Sequence, residues 1–272
     1  MENRASYRVA GKCLAITVWL IGLGVIASGS RRWLPSLASE HGAGIDVMIR
    51  FTMAAAGAMI LTGHMVLGFF LWRFGSQNKI SFRLASHRME RAWSVAAVLV
   101  MAVVAEGGVL VLGMPVWAKV FASAAPSSAL TVEVTTEQFA WNVRYAGPDG
   151  KFGRTSPQLI SLDNPLGVDP KDDSAKDDIV DLNIIHVVVN RPVKVRLRSK
   201  DVIHSFFLPN LRVKQDSMPG MTIDLWFVPN KTGTFELACA ELCGFGHYEM
   251  RGILIVMTPE DFEKWLLEKK NG

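Results

Sequence analysis

Cysteine is scarce in this sequence, which contains three cysteines among 272 residues. Because the count is odd, a fully paired intramolecular disulfide framework is excluded. The sequence also lacks a Cys-x-x-Cys-His motif, which excludes a covalently attached c-type haem. Cys13 lies at the edge of an apolar run and is interpreted as a buried structural thiol, whereas Cys239 and Cys243 lie close together near the C-terminus.

The net charge of +4 does not indicate a nucleic-acid-binding protein, because the charges are unevenly placed. Many of the basic residues flank apolar runs. The segment from Asp149 to Asp181 instead contains eight aspartates and four basic residues. Residues 147–176 are polar and rich in Pro, Gly and Asp, and we predict a solvated surface loop there.

Long apolar runs are confined to residues before about 118. The first, Leu14 to Ala27, predicts a signal peptide or a first transmembrane helix within residues 1–30. The second and third, at about 51–72 and 93–117, predict a transmembrane helical hairpin within residues 31–118. His64 and Glu106 are ionisable residues inside these spans, and we interpret them as facing a partner subunit or lying near a membrane interface.

The polar loop between the second and third runs is strongly basic, with Arg73, Lys79, Arg83, Arg88 and Arg91. The positive-inside rule therefore places this loop in the cytoplasm. The third run then leads outward, so residues 119–272 are expected on the outer side of the membrane. In a bacterium this arrangement predicts a multi-pass protein of the inner membrane with a periplasmic domain.

The segment 119–272 reads as a β-rich domain, because short alternating apolar stretches are separated by turn residues. We expect strands within 130–145, 184–189, 193–197, 221–228, 234–239 and 252–257. This pattern predicts an antiparallel β-sandwich or barrel. Thr258 and Pro259 then predict the start of a short C-terminal helix.

Five potential metal donors lie in two parts of this domain. His204 stands alone, and the others fall within twelve residues: Cys239, Cys243, His247 and Met250. Two thiolates, two imidazoles and a thioether form a soft donor set that favours copper. Two bridging thiolates would hold two copper ions close together. A zinc site, a disulfide between the two cysteines and simple core packing remain alternatives.

The spacing of Cys243, His247 and Met250 after a distant histidine resembles the cupredoxin-like blue-copper pattern. With Cys239 added, the segment from Cys239 to Met250 resembles subunit II of cytochrome c oxidase. The resemblance implies that both cysteines bridge two coppers, that His204 and Met250 complete one copper, and that His247 with the Glu241 carbonyl completes the other. It also implies that the Glu241 side chain contributes to a magnesium or manganese site at the boundary with subunit I.

Other segments carry the same resemblance. Residues 138–141 occupy the place of the family's aromatic cluster for electron entry, with Phe139 where the family usually has Trp, and Trp141 as an aromatic neighbour. Residues 90–94 resemble the start of the family's second helix, where an acidic residue lies near the entrance of a proton path. The resemblance therefore makes Glu90 a candidate for that position. The alternative interpretation is that Glu90 is an ordinary acidic residue at the start of a helix.

The resemblance implies an electron-entry subunit that accepts electrons from cytochrome c and passes them to the haems of subunit I. Oxygen reduction there is coupled to proton translocation, and no catalytic residue is expected on this chain. Two alternatives remain open: a copper-bearing small subunit of a nitric oxide reductase, and a membrane-tethered copper carrier.

Overall fold

The computed structural model describes residues 2–29, 33–75 and 86–271 of the chain. The chain divides into two compact units. One consists of Met1–Leu34 and Asp46–Pro115, and the other of Pro35–Ile45 and Val116–Gly272. Of the predicted basic loop, Lys79 and Arg83 lie outside the described residues, whereas Arg73 lies in the last turn of the second helix and Arg88 and Arg91 lie in the helix that begins at His87.

The first unit is helical, and within the described residues three helical segments are long and apolar enough to cross a membrane. Helix α1 is Glu2–Gly29 and α2 is Gly42–Phe74. The third segment, His87–Ala122, consists of α3 (His87–Val100), a π-helical stretch (Met101–Glu106), α4 (Gly107–Trp117) and a second π-helical stretch (Ala118–Ala122). Cys13 is exposed on α1, so its interpretation as a buried thiol was wrong.

The second unit contains ten strands in two five-stranded sheets, followed by one helix. The strands are β1 (Leu130–Glu137), β2 (Ala140–Tyr145), β3 (Ile179–Leu182), β4 (Ile184–Val188), β5 (Val193–Ser199), β6 (His204–Leu208), β7 (Val213–Ser217), β8 (Ile223–Phe227), β9 (Gly233–Cys239) and β10 (Arg251–Met257). One sheet has the order β3-β2-β1-β5-β8 and the other has the order β4-β10-β9-β6-β7. Buried apolar side chains from both sheets form one core, as a β-sandwich requires.

Most strand pairs are antiparallel, as expected, but β1 with β5 and β4 with β10 are parallel. Three strands lie outside the predicted segments, namely β3, β6 and β7. Strand β7 reads Val-Lys-Gln-Asp-Ser and lies at a sheet edge, where a strand needs little apolar alternation. Residues 147–176 form the predicted loop, with two short 3₁₀ turns and an isolated bridge between Thr155 and Val168.

The short segment Pro35–Ile45 belongs to the sandwich unit, which the sequence does not indicate. The Ala38 amide donates to the Asn210 carbonyl at 2.8 Å, and the Ser39 hydroxyl donates to the Leu211 carbonyl at 2.6 Å. Ala38 and Ser39 are fully buried. These bonds fix the segment to the sandwich before α2 begins.

The C-terminal helix, α5 (Pro259–Asn271), starts as predicted. The Asp261 amide donates to the Thr258 hydroxyl at 3.2 Å, which is the N-cap bond that satisfies one free amide of the first turn. Trp265 stacks on His186 of β4 with ring centroids 4.3 Å apart. The helix therefore covers one end of the core with an aromatic side chain.

Candidate metal centre

The soft donors converge at one end of the second sheet because of the order of its strands. Cys239 is the last residue of β9, and the loop from residue 240 to 250 returns the chain to β10. His204 is the first residue of β6, which pairs with β9 so that Phe206 lies opposite Cys239. The strand pairing thus brings a histidine from a distant part of the sequence to the cysteine loop.

The donor atoms lie within a few ångströms of one another. The ligand atoms of His204, Cys239 and Cys243 all lie within 4.8 Å. The two sulfurs are 3.8 Å apart, which is far beyond the length of a disulfide bond. His247 Nδ1 lies 3.6 Å from the Cys243 sulfur, and Met250 Sδ lies 3.2 Å from His204 Nδ1.

The loop backbone supplies a further oxygen to this cluster. The Glu241 carbonyl lies 3.2 Å from the Cys239 sulfur, whereas the residue itself is exposed. All six residues predicted as metal ligands are therefore close together. His204, Cys243 and Met250 are buried, and Cys239 and His247 are half-buried.

The electrostatics of the cluster favour one thiolate and one thiol in the absence of metal. Burial opposes ionisation of Cys239, but hydrogen bonds from His204 and the Ser205 backbone outweigh it and lower the pKa of Cys239 to about 6. Burial and the neighbouring Cys239 thiolate raise the pKa of Cys243 to about 11. Burial also opposes protonation of His204, yet its hydrogen bonds to Cys239 and Asp201 raise its pKa.

Asp201 and Gln138 hold the cluster in place, and sequence reasoning missed both roles. Asp201 Oδ1 lies 2.8 Å from His204 Nε2, and Asp201 Oδ2 accepts the Gln138 amide at 2.7 Å. The Gln138 side chain donates to the Cys243 carbonyl at 2.6 Å. A carboxylate on the far nitrogen of a histidine fixes the tautomer and orientation with which the near nitrogen faces a metal. The only sequence signal is the proximity of Asp201 to His204.

We expect Asp201→Asn to weaken copper binding by about 10- to 100-fold, because the amide no longer accepts strongly from His204 Nε2. Competition with a copper chelator of known affinity measures the change. Asp173→Asn is the matched control, because that side chain is 92% exposed in the polar loop. Equal affinities for the two variants would contradict an orienting role for Asp201.

The two aromatic residues of the electron-entry prediction differ in exposure. Trp141 is fully buried and contacts Phe206 edge to face, with ring centroids 5.8 Å apart. Phe139 is 37% exposed. A Cβ added to Gly244 would lie 3.3 Å from the Phe139 ring, so this ring packs directly on the cysteine loop.

The ionisable residues of the helical unit lie elsewhere in the chain. Glu90 is in the first turn of α3, exposed, with an oxygen 3.6 Å from His87 Nδ1. Glu106 ends the first π-helical stretch and is exposed, whereas His64 is half-buried on α2. None of these residues belongs to the candidate metal centre.

The chemical types of the donor groups and the distances between them are suitable for copper. Thiolate, imidazole and thioether groups are the ligands that copper prefers, and a thioether adds little for zinc. Here the Met250 sulfur is buried and lies 3.8 Å from the Cys243 sulfur, so it faces the cluster and not only the core.

Comparisons with known proteins agree with this chemistry. The family model for the periplasmic domain of cytochrome c oxidase subunit II matches residues 130–257. The alternative cytochrome c oxidase subunit 2 of Bradyrhizobium diazoefficiens is 32% identical over 260 residues, which cover 94% of this chain and 92% of that protein. Cytochrome c oxidase subunit 2 of Cereibacter sphaeroides is 27% identical over 235 residues, covering 82% and 75% respectively.

A solved structure is also similar to this chain. The crystal structure of the periplasmic domain of cytochrome oxidase subunit II from Bradyrhizobium japonicum shares 30% identity, with a TM-score of 0.39. It covers 54% of this chain and 98% of that chain.

These relatives are oxidase subunits, so neither a nitric oxide reductase subunit nor a copper carrier is favoured. The family implies copper binding, and the apolar helices anchor an outward-facing domain in a membrane. The relative that matches nearly the whole chain, together with the domain match, shows that this chain belongs to the cytochrome c oxidase subunit II family.

Proposed function

We propose that this chain is the electron-entry subunit of a cytochrome c oxidase in a bacterial inner membrane, with the second unit in the periplasm. When bound, a dinuclear copper centre supplies a site that takes up and releases one electron with little rearrangement. Cytochrome c is the proposed donor, and the haems of subunit I are the proposed acceptors for oxygen reduction coupled to proton translocation. The convergence of six donor groups at the end of β9 is the observation that carries this proposal.

Each donor has a proposed place in the centre. Cys239 and Cys243 would hold the two coppers jointly, and their sulfurs are 3.8 Å apart. His204 and Met250 would complete one copper, and His247 with the Glu241 carbonyl would complete the other. Each imidazole faces the centre through Nδ1, because His204 Nδ1 lies near Met250 and His247 Nδ1 lies near Cys243.

The Glu241 side chain is proposed to hold magnesium or manganese together with subunit I. Its carbonyl points into the cysteine cluster at 3.2 Å from Cys239, while the residue is exposed. One residue therefore offers a backbone oxygen to the copper centre and a free carboxylate to a neighbouring subunit. Carboxylate oxygens are the ligands that these harder cations prefer.

Phe139 is proposed as the surface contact for the electron donor, with Trp141 behind it in the core. The exposed Phe139 ring packs on Gly244 and Gly246 of the cysteine loop, so a haem protein that contacts this ring is close to the centre. Trp141 is fully buried and cannot contact a donor directly. Glu90 is proposed to lie near a proton path, as an exposed acid at the start of a membrane helix.

We expect Phe139→Ala to raise the KM for reduced cytochrome c by about 10- to 30-fold, because truncation of a central aromatic contact costs about 2 kcal/mol. Steady-state oxygen consumption by the purified complex measures this change. Phe139→Trp is the conservative control and is expected to keep a KM close to that of the parent chain. An unchanged KM for the alanine variant with full copper content would exclude this docking position.

The proposed function as a whole is tested by oxygen consumption with reduced cytochrome c. The purified complex is expected to consume oxygen and to acidify the outer side of proteoliposomes. Nitric oxide reduction without oxygen consumption would overturn the proposal.

A further inference from the structure

We propose that helix α1 remains in the mature protein as a third membrane helix that packs against α2. The candidate membrane span within α1, Arg8–Ser28, has 21 residues and contains the apolar run Leu14–Ala27. At 1.5 Å per residue this length spans about 31 Å, which matches the hydrocarbon core of a bilayer.

The two helices meet through glycines that face large side chains. A Cβ at Gly68 of α2 would collide with the indole ring of Trp19, and a Cβ at Gly57 would lie 3.0 Å from Ile26. A Cβ at Gly22 of α1 would lie 3.0 Å from His64. Small residues at these positions let the backbones approach, which is how membrane helices associate without a hydrophobic driving force.

A hydrogen bond and an aromatic contact join the helices as well. Trp19 Nε1 donates to the Met65 carbonyl at 3.3 Å, and the Trp19 ring stacks on Trp72 with centroids 5.9 Å apart. A polar N–H group in a membrane is costly unless it has a partner, and α2 provides one for Trp19. This contact requires both helices in the folded protein.

The N-terminal end of α1 and the C-terminal end of α2 lie together, which is consistent with both ends being on the same side of the membrane. A Cβ at Gly11 would lie 3.3 Å from Gly75 Cα, and the Lys12 ammonium lies 4.9 Å from the centre of the Trp72 ring. The basic start of α1 therefore lies beside the end of α2, where Arg73 is found. The positive-inside rule places both ends in the cytoplasm, as an antiparallel pair of retained helices requires.

Removal of α1 would also expose the His64 side chain, which packs against Gly22 of α1. The imidazole is half-buried, with Nδ1 2.8 Å from the Ile60 carbonyl, and Gly22 lies against its Cβ. An imidazole that faces lipid is costly, whereas one that packs between two helices is tolerated. We infer that α1 shields His64 within the membrane.

Intact mass spectrometry of the chain purified from membranes is the first test. The expected mass includes residues 8–28, so the mature N-terminus precedes Arg8. A mature chain that begins after about Ser28 would overturn the proposal. This outcome is independent of copper and of oxidase activity.

Paired glycine variants test the packing itself in the detergent-solubilised full chain. Gly68→Leu is expected to lower the midpoint of thermal unfolding by at least about 5 °C, because overpacking forces the helices apart. Gly63→Leu is the control on the same helix, since a Cβ there meets no described atom within 4 Å. Equal midpoints for the two variants would contradict the α1–α2 interface.

A second pair places the change on α1. Gly22→Leu is expected to destabilise the chain, whereas Gly24→Leu is not, because a Cβ at Gly24 meets no atom of the described residues within 4 Å. If α1 were removed, both variants would give the same mature chain and the same midpoint.

Discussion

Cys243→Ser is expected to abolish the proposed dinuclear centre and to lower electron entry from the proposed donor, cytochrome c, by at least about 100-fold. The Cys243 sulfur is central to the cluster, at 3.8 Å from both the Cys239 and Met250 sulfurs and 3.6 Å from His247 Nδ1. A serine hydroxyl is a harder and far less acidic ligand, and it cannot bridge two copper ions as a thiolate does. Copper content and stopped-flow reduction by cytochrome c measure the two effects.

Two controls separate this effect from misfolding. Cys13→Ser changes the remaining cysteine, which is exposed on α1, and is expected to leave copper content and electron entry unchanged. Circular dichroism of the Cys243→Ser chain is expected to match the parent, because serine nearly preserves the shape of the buried side chain. Two coppers per chain in a folded Cys243→Ser variant would contradict the bridging role.

Arg144→Met is expected to lower the free energy of unfolding of the sandwich unit by about 3–5 kcal/mol. The Arg144 side chain is 2% exposed and pairs with the equally buried Asp178 at 2.5 Å. It also lies 3.4 Å from Glu133 and donates to the Gly153 carbonyl. Methionine fills similar space but leaves the Asp178 carboxylate buried, with the Gly153 amide at 3.0 Å as its remaining close donor.

The acidic loop offers a matched control for this change. Arg154 pairs with Asp169 and Asp172, but its side chain is 74% exposed. Arg154→Met is therefore expected to cost less than about 1 kcal/mol, because solvent screens exposed ion pairs. Denaturant unfolding of both variants gives the comparison. A loss below about 1 kcal/mol for Arg144→Met would show that its ion pairs contribute little to stability.

The cluster of potential metal donors could be predicted from the sequence because most of its members are local. Cys239, Cys243, His247 and Met250 lie within one loop, so their spacing alone brings them together. The distant His204 was predicted only as a further soft donor of the set, and the pairing of β6 with β9 explains physically how it reaches the loop. The capped start of α5 was equally predictable, since its signal lies in consecutive residues.

Long-range contacts could not be predicted in the same way. Gln138 reaches Cys243 across 105 positions, and the Pro35–Ile45 segment bonds to residues more than 170 positions away. No local pattern encodes such contacts. Burial in strand β2 could not be predicted from the sequence pattern either. Five consecutive residues from Trp141 to Tyr145 are buried, so their burial does not alternate along the strand.

Copper stoichiometry with electron paramagnetic resonance on the purified full-length chain tests the central proposal most directly. We expect two coppers per chain and the hyperfine pattern of one unpaired electron shared equally by two copper nuclei. One copper per chain with the hyperfine pattern of a single nucleus, or zinc in its place, would contradict it.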